Sequence, residues 1–150
     1  IQVRELDQLM AASRSGMHAV KCIHDVAHDL NELRNSAHEV KYNFLLHMNK
    51  NQTEFYNQLF FDASTLQDAD LVYDKLVEYL KGVQAGYNFN LQMIYTLSAN
   101  NSLSDVEIAT LMNFNREIFT GNKSLIMSWK NYLLPTDLSL KFSDLPTYMA

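Results

Sequence analysis

The sequence predicts an all-α fold, an antiparallel (up-down-up-down) bundle of about four long helices. The chain holds only two prolines, Pro135 and Pro146, and only four glycines in 150 residues. A proline inside a helix costs about 3 kcal/mol, so the proline-free stretch 1–134 is what long helices need. Capping signals divide this stretch, and apolar residues recur along it at steps of three and four residues, the spacing of one helix face.

The capping signals set the predicted helix boundaries. Ser36, Ser64 and Ser104 each stand three residues before a Glu or Gln. This is the pattern of a capping box, which satisfies two unpaired amides at the start of a helix. The predicted helices cover about 2–35, 37–62, 65–100 and 104–134. Together they form a four-helix domain over 1–134, and an irregular C-terminal tail follows over 135–150.

Apolar side chains along each helix are expected to form a heptad-like seam that faces the core. The seam of the first helix contains Leu6, Met10, Ser13, Met17, Val20, His24, Ala27 and Asn31. At the midpoint of the second helix, either His47 or Met48 fits the seam. Because these helices are long, they are expected to be stable only when packed against each other.

Polar residues interrupt the seams, and four of them fall at one height in an up-down-up-down bundle. Helix rise places this height about 16 Å from the end of the bundle. The four residues are His24, His47, Asn90 and Asn115. We predict that they form a buried polar layer. The layer either fixes the register of the helices through hydrogen bonds or binds an ion or a small ligand.

Two acidic residues of the first helix, Asp25 and Asp29, are candidate metal ligands. Their spacing puts both carboxylates on one helix face, where a metal that prefers oxygen ligands could bind with further ligands from another helix. By helical phase this face lies opposite the apolar seam, which favours a solvated surface. His24 and His28 share the same spacing, but the Glu-x-x-His pairs of a di-iron bundle are missing. No cofactor is therefore predicted.

Composition and missing motifs argue against several functions. A formal net charge of −5 without a Lys and Arg cluster is not typical of a nucleic-acid surface. The chain lacks an apolar run of roughly 18 residues, so we expect that it does not itself span a membrane. No nucleophile elbow or phosphate-binding glycine loop is present, and Cys22 carries no sign of activation, so no enzyme is predicted. The Gly82-x-x-x-Gly86 pair is expected to permit close helix packing.

Two segments carry a family resemblance. They are residues 19–36 (AVKCIHDVAHDLNELRNS) and 106–125 (VEIATLMNFNREIFTGNKSL), the second followed by Tyr132-Leu-Leu134. Both resemble the PhoU-like helical region that follows the membrane part of bacterial sodium/phosphate cotransporters. Together they cover under a third of the chain, and their order and spacing suit the whole domain. The motif Leu-Met-Asn-Phe-Asn-Arg-Glu in the second segment is the more specific of the two.

The resemblance implies a cytoplasmic regulatory domain at the bacterial inner membrane, as part of a sodium-dependent phosphate transporter. Its partner would be the membrane-embedded part of the same polypeptide, and self-association is a further expectation. PhoU proteins carry metal-binding motifs of the form acid-x-x-x-Asp, which Asp25 and Asp29 match, but the third helix offers no second copy. An alternative from another class is a periplasmic four-helix ligand-sensing module of a chemoreceptor or histidine kinase. A metal-dependent enzyme in a ferritin-like bundle is a third hypothesis.

Overall fold

The structure is a computed structural model and describes residues 3–146. The predicted all-α bundle is confirmed, and no strand occurs within this range. In chain order, the helices of this range are α1 (Val3–Asp25), α2 (Ala27–Asn35), α3 (Glu39–Thr65), α4 (Ala69–Ala99), α5 (Asp105–Leu133) and α6 (Thr136–Ser143). The parts of the predicted first helix and tail that fall on 1–2 and 147–150 lie outside the described residues.

The first predicted helix is two helices, so the prediction of one helix over 2–35 is wrong. Val26 separates α1 from α2 with φ −95° and ψ 3°, and its carbonyl still accepts a hydrogen bond from the Leu30 amide at 2.8 Å. The Val26 side chain is buried in a core cluster with Leu33 and Phe44. The break therefore lets α2 pack on α3 while α1 packs on α5.

Only one of the three predicted capping boxes forms. Ser104 caps α5 with both hydrogen bonds of the box. At Ser36 the box is wrong, because α3 starts later, with His38 at its N-cap position and no side-chain cap. At Ser64 the box is also wrong: this residue lies in the last turn of α3, where its hydroxyl donates to a backbone carbonyl of that helix. Asp68 caps α4 instead, accepting two backbone amides.

The C-terminal segment is helical where an irregular tail over 135–150 was predicted. Pro135 occupies the N-cap position of α6, where the fixed φ of proline suits the entry to a helix. Phe142 on α6 is fully buried, and its ring meets the ring of Tyr73 edge to face at 5.9 Å. This apolar contact joins α6 to the bundle core, so the domain extends beyond residue 134.

Helix α5 is the centre of the bundle, with α1 on one side and α4 on the other. Helices α1 and α5 run antiparallel, since Gln8 near the start of α1 bonds to the carbonyl of Leu134 just after α5. Helix α3 packs on α4 and completes the bundle. Two buried clusters fill it, one around Leu80 and Ile126 and the other around Ile94 and Leu111.

Helix α1 approaches α5 closely through small residues. A Cβ built on Gly121 of α5 would lie 3.2 Å from the Cβ of Cys22 and 3.5 Å from the carbonyl oxygen of Ala19. Further along, the Ser128 hydroxyl donates to the Ala12 carbonyl at 2.8 Å. The contact buries a narrow strip of α1 made of Ala12, Ala19 and Cys22.

The predicted seam of the first helix is therefore wrong. Its apolar residues Leu6, Met10, Met17 and Val20, which we call the α1 face, are 51%, 50%, 73% and 67% exposed. The small-residue strip of α1 and this face lie on different sides of the helix. Because the strip faces α5 and these four residues are at least half exposed, the α1 face lies largely in solvent.

Alanine substitutions should distinguish a glycine that permits the close contact of two helices from a glycine that borders open space. Gly82→Ala should raise the free energy of unfolding by about 0.5–1 kcal/mol, because alanine favours the helix and its Cβ meets nothing described within 4 Å. Gly121→Ala should gain nothing or lose stability, because overpacking costs about 1–3 kcal/mol. Urea denaturation of both variants checks this. Equal gains would contradict the close α1–α5 contact.

The contribution of Glu107, at the start of α5, to the stability of the fold should depend on pH. A hydrogen bond from Lys41, 2.5 Å away, and the Ser104 amide lower the pKa of Glu107 from 4.5 to about 2. A depressed carboxyl pKa stabilises the fold above pH 4.5, and this contribution is lost as the pH falls towards 2. Wild type should therefore be more stable than Glu107→Gln at neutral pH, and the gap should close with acid in denaturation series. A pH-independent gap would contradict this.

Candidate functional site

The structure brings together two of the four residues of the predicted polar layer. Asn90 on α4 and Asn115 on α5 are 5% and 1% exposed, and Asn90 Nδ2 donates to Asn115 Oδ1 at 3.0 Å. His24 is exposed on α1, so its placement in a buried layer is wrong. It lies on the side of α1 that carries the α1 face, away from the small residues that meet Gly121 of α5.

His47 is not part of the buried network either. Its ring is half-buried beside Phe89, with the ring centroids 5.4 Å apart, and accepts a hydrogen bond from Asn51. Met48 takes the inward position, and its sulfur lies 2.9 Å from Asn90 Nδ2. Of the two residues that fitted the midpoint of this helix, the thioether is the one in the core because it carries no strong polar group to satisfy.

A second amide pair, which was not predicted from the sequence, joins α3 to α5. Gln52 of α3 and Asn122 of α5 exchange two hydrogen bonds of 3.0 and 2.7 Å between their side chains. Asn122 lies one heptad after Asn115, which is a sequence signal that could have found it. Gln52 offers no comparable signal, since it is one of several amides on a largely polar helix.

The two amide pairs line the buried end of a cleft between α3, α4 and α5. Its volume is about 350 Å³, within the range of small-molecule sites. Apolar and aromatic side chains form the walls: Met48, Phe55, Tyr79, Val83, Tyr87, Ile118 and Phe119. Gly82 and Gly86 also line it, and a Cβ on either would meet nothing described within 4 Å. The predicted role of these glycines in close packing is thus wrong; they keep the cleft open.

The hydrogen bonds among the buried amides leave one acceptor, Asn90 Oδ1, without a described partner. The carbonyl of Tyr87 can only accept, so Asn115 must turn its Nδ2 towards it, at 3.2 Å. Asn115 Oδ1 is then the acceptor for Asn90 Nδ2, which fixes the orientation of the Asn90 amide as well. Asn90 Oδ1 is buried and has no hydrogen-bond partner among residues 3–146. Such an unsatisfied buried group costs about 1–3 kcal/mol.

The exposed end of the cleft is negatively charged. Glu54 and Glu78 line it, and among the described lining residues none is Lys or Arg. The Glu78 carboxylate lies 3.3 Å from the Lys75 ammonium in an exposed pair, which offsets part of this charge but stabilises the fold little. Burial, followed by the hydrogen bond to Asp62, raises the pKa of Tyr79, so its hydroxyl stays neutral.

Asp25 and Asp29 do not form a metal site in this structure. Asp25 pairs with Lys21 at 2.5 Å, and this hydrogen bond lowers the pKa of Asp25. Asp29 lies on the next helix, α2, and accepts from Asn113 of α5 at 3.2 Å. No group of three or more His, Cys, Asp or Glu side chains that could hold a metal ion occurs within residues 3–146.

Side chains that could act as nucleophiles sit in unfavourable surroundings. Burial is the main cause that raises the pKa of the Cys22 thiol, which disfavours its reactive thiolate. Ser124 hydrogen-bonds His18 Nδ1 at 2.7 Å, but it lies in the middle of α5. Backbone amides there are used within the helix, so they are not available to stabilise an oxyanion.

The α1 face continues into a second, apolar groove. Met17 and Val20 line it together with Leu125, Trp129 and Tyr132 of α5, and its volume is about 1010 Å³. Trp129, the single tryptophan of the chain, also meets a phenyl ring of α3 edge to face. Because this groove is lined mainly by apolar side chains, it is a surface suited to another apolar helix.

Comparison with known proteins adds no assignment: no family model, curated protein or solved structure matches the chain. Within residues 3–146, no helix combines the length and the apolar character that a membrane crossing needs.

Burial predicts that two residues of the predicted polar layer differ in how much their substitution lowers the free energy of unfolding. Asn115→Ala should lower the free energy of unfolding by more than about 1 kcal/mol, because it leaves Asn90 Nδ2 with one partner fewer in the core. His24→Ala should change it by less than about 0.5 kcal/mol, as for most surface substitutions. Thermal or urea unfolding of the two variants is the measurement. A large loss for His24→Ala would mean that its imidazole is buried after all.

Proposed function

We propose that this chain is a non-catalytic regulatory domain of a sodium-dependent phosphate transporter, on the cytoplasmic side of the bacterial inner membrane. It would act through contacts between the bundle and the membrane-embedded part of the same polypeptide. The observation that carries the proposal is the α1 face, whose apolar residues lie in solvent at heptad spacing. The resemblance of segments 19–36 and 106–125 to the cotransporter family gives the partner.

The spacing and the energetics of the α1 face both favour a helical partner. Met10, Met17 and Val20 stand on one stripe of α1, the arrangement of a helix that packs against another. Burial of such a side chain stabilises a complex by about 1.5–3 kcal/mol relative to its exposed state. A helix of the membrane-embedded part that crosses α1 in one transporter state only would shift the population towards that state.

The two segments that carry the family resemblance are in contact in the structure, which supports treating them as parts of one feature. Residues 19–36 form the end of α1 and all of α2, and 106–125 form about the first two thirds of α5. They touch where Cys22 faces Gly121 and where Asn113 donates to Asp29. The two segments thus form one contiguous part of the bundle, made of the end of α1, α2 and most of α5, next to the α1 face.

A second candidate function is a ligand-sensing helical module of a chemoreceptor or histidine kinase. The specific observation in its favour is the cleft between α3, α4 and α5, with its buried amides and the unsatisfied Asn90 Oδ1. Membrane spans encoded in the parent gene distinguish the two. A transporter part contributes many apolar segments of about 20 residues before this domain, whereas a sensor module has a single span on each side.

A charge placed on the α1 face should disturb transport without disturbing the fold. In the full-length protein in cells, Met17→Glu should change sodium-dependent phosphate uptake several-fold, because a carboxylate on this face opposes burial against an apolar helix. The melting temperature of the isolated chain should stay within a few degrees, since Met17 is already exposed.

Arg14→Gln is the matched control, because it lowers the net charge by the same one unit and is an exposed residue of the same helix. It should leave uptake unchanged. Equal effects of the two variants would contradict a role for the α1 face, and an intact parent without sodium-dependent phosphate uptake would end the transporter proposal. If Met17→Glu instead abolishes a dimer of the isolated chain, the occupant of the face is a second copy.

A further inference from the structure

We propose that the cleft between α3, α4 and α5 binds a small, extended ammonium compound with a hydroxyl or amide group at its far end. The ammonium group would lie at the exposed end between Glu54 and Glu78, and the hydroxyl or amide would donate to Asn90 Oδ1. This inference rests on the cleft alone and is independent of the transporter proposal.

The buried end of the cleft selects for a neutral hydrogen-bond donor. Asn90 Oδ1 is the acceptor that the network leaves without a described partner, and its orientation follows from the Tyr87 carbonyl through Asn115. The surrounding groups at this end are amides, which carry no compensating charge. Burial of a full charge there is more costly than burial of a hydroxyl or an amide, so the donor is neutral.

The exposed end of the cleft selects for a positive charge. Glu54 and Glu78 supply two carboxylates, and no Lys or Arg belongs to the described lining. The aromatic rings of Phe55 and Tyr79, which meet edge to face at 6.1 Å, also line the cleft and can add cation–π attraction. An anion would be repelled by these carboxylates, although the Lys75 ammonium offsets part of the charge at Glu78.

The ligand must be extended, because the two ends are well separated. Along α4, Asn90 lies twelve residues from Glu78, roughly 18 Å of helix rise, and Glu54 lies roughly 9 Å beyond Met48 along α3. Between the ends, Val83 and Ile118 offer apolar wall, which suits a methylene chain.

The two glycines of α4 indicate that the cleft is a binding site and not a packing defect. Gly82 and Gly86 cost the interior of α4 up to about 1 kcal/mol each relative to alanine. They bring no helix closer in return, because a Cβ at either site meets no described atom within 4 Å. What they keep open is access to the amides between the helices.

The test uses three eight-carbon probes on the purified protein: 8-aminooctan-1-ol, octan-1-amine and 8-hydroxyoctanoate. Melting temperature and chemical-shift titration at millimolar concentrations report binding, because a ligand that binds only the native state raises its stability. The amino alcohol should bind at least several-fold more tightly than the amine, and the hydroxy acid should not bind. No shift with any probe, equal binding of the amine, or binding of the hydroxy acid would overturn the proposal.

Variants locate the binding. Gly86→Leu places an apolar side chain in the cleft, leaves all four amides in the sequence and should abolish the shifts, while Ala85→Leu, an exposed neighbour outside the cleft, should keep them. Glu54→Gln with Glu78→Gln should weaken the amino alcohol about tenfold and reduce its salt dependence. Retained binding in Gly86→Leu, with an unchanged circular dichroism spectrum, would place the probe elsewhere and overturn the proposal.

Discussion

The close approach of α1 to α5 governs the surface of this bundle. Gly121 allows the two helices to meet along small side chains such as Ala19 and Cys22, and the larger residues of α1 are then left on other sides of the helix. A wider spacing would need larger side chains between the helices and would bury more of α1. The exposed stripe around Met17 is therefore a consequence of tight packing, not of a missing core.

The polar core obeys a different constraint. Four amides from three helices form two hydrogen-bonded pairs in the interior, and the Tyr87 carbonyl and the Met48 sulfur supply further partners. Because amide groups must be paired when they are buried, they fix the relative register of α3, α4 and α5. The oxygen left without a described partner, on Asn90, lies about one turn of α4 from Gly86, which has no side chain to fill the space.

Helix α5 contributes both to the contact with α1 and to the cleft. Through Gly121 and Ser128 it holds α1, and through Asn115 and Asn122 it lines the cleft. A partner on the α1 face and a ligand in the cleft would both act on this helix, so either could bias a shift of α5 that the other senses. Trp129, in the groove beside the α1 face, offers a fluorescence signal that distinguishes occupation of the groove from occupation of the cleft.

Sequence reasoning alone reached the all-α class, three of the long helices to within a few residues, the Ser104 cap and the pairing of Asn90 with Asn115. These rest on local helix chemistry and on counting heights along rods. It could not show that α1 would turn its small residues to α5, that Val26 would divide the first helix, or that Phe142 would draw the C-terminal segment into the core. Helical periodicity marks an apolar stripe but not which stripe finds a partner. That choice depends on distances between helices, which only the packed bundle sets.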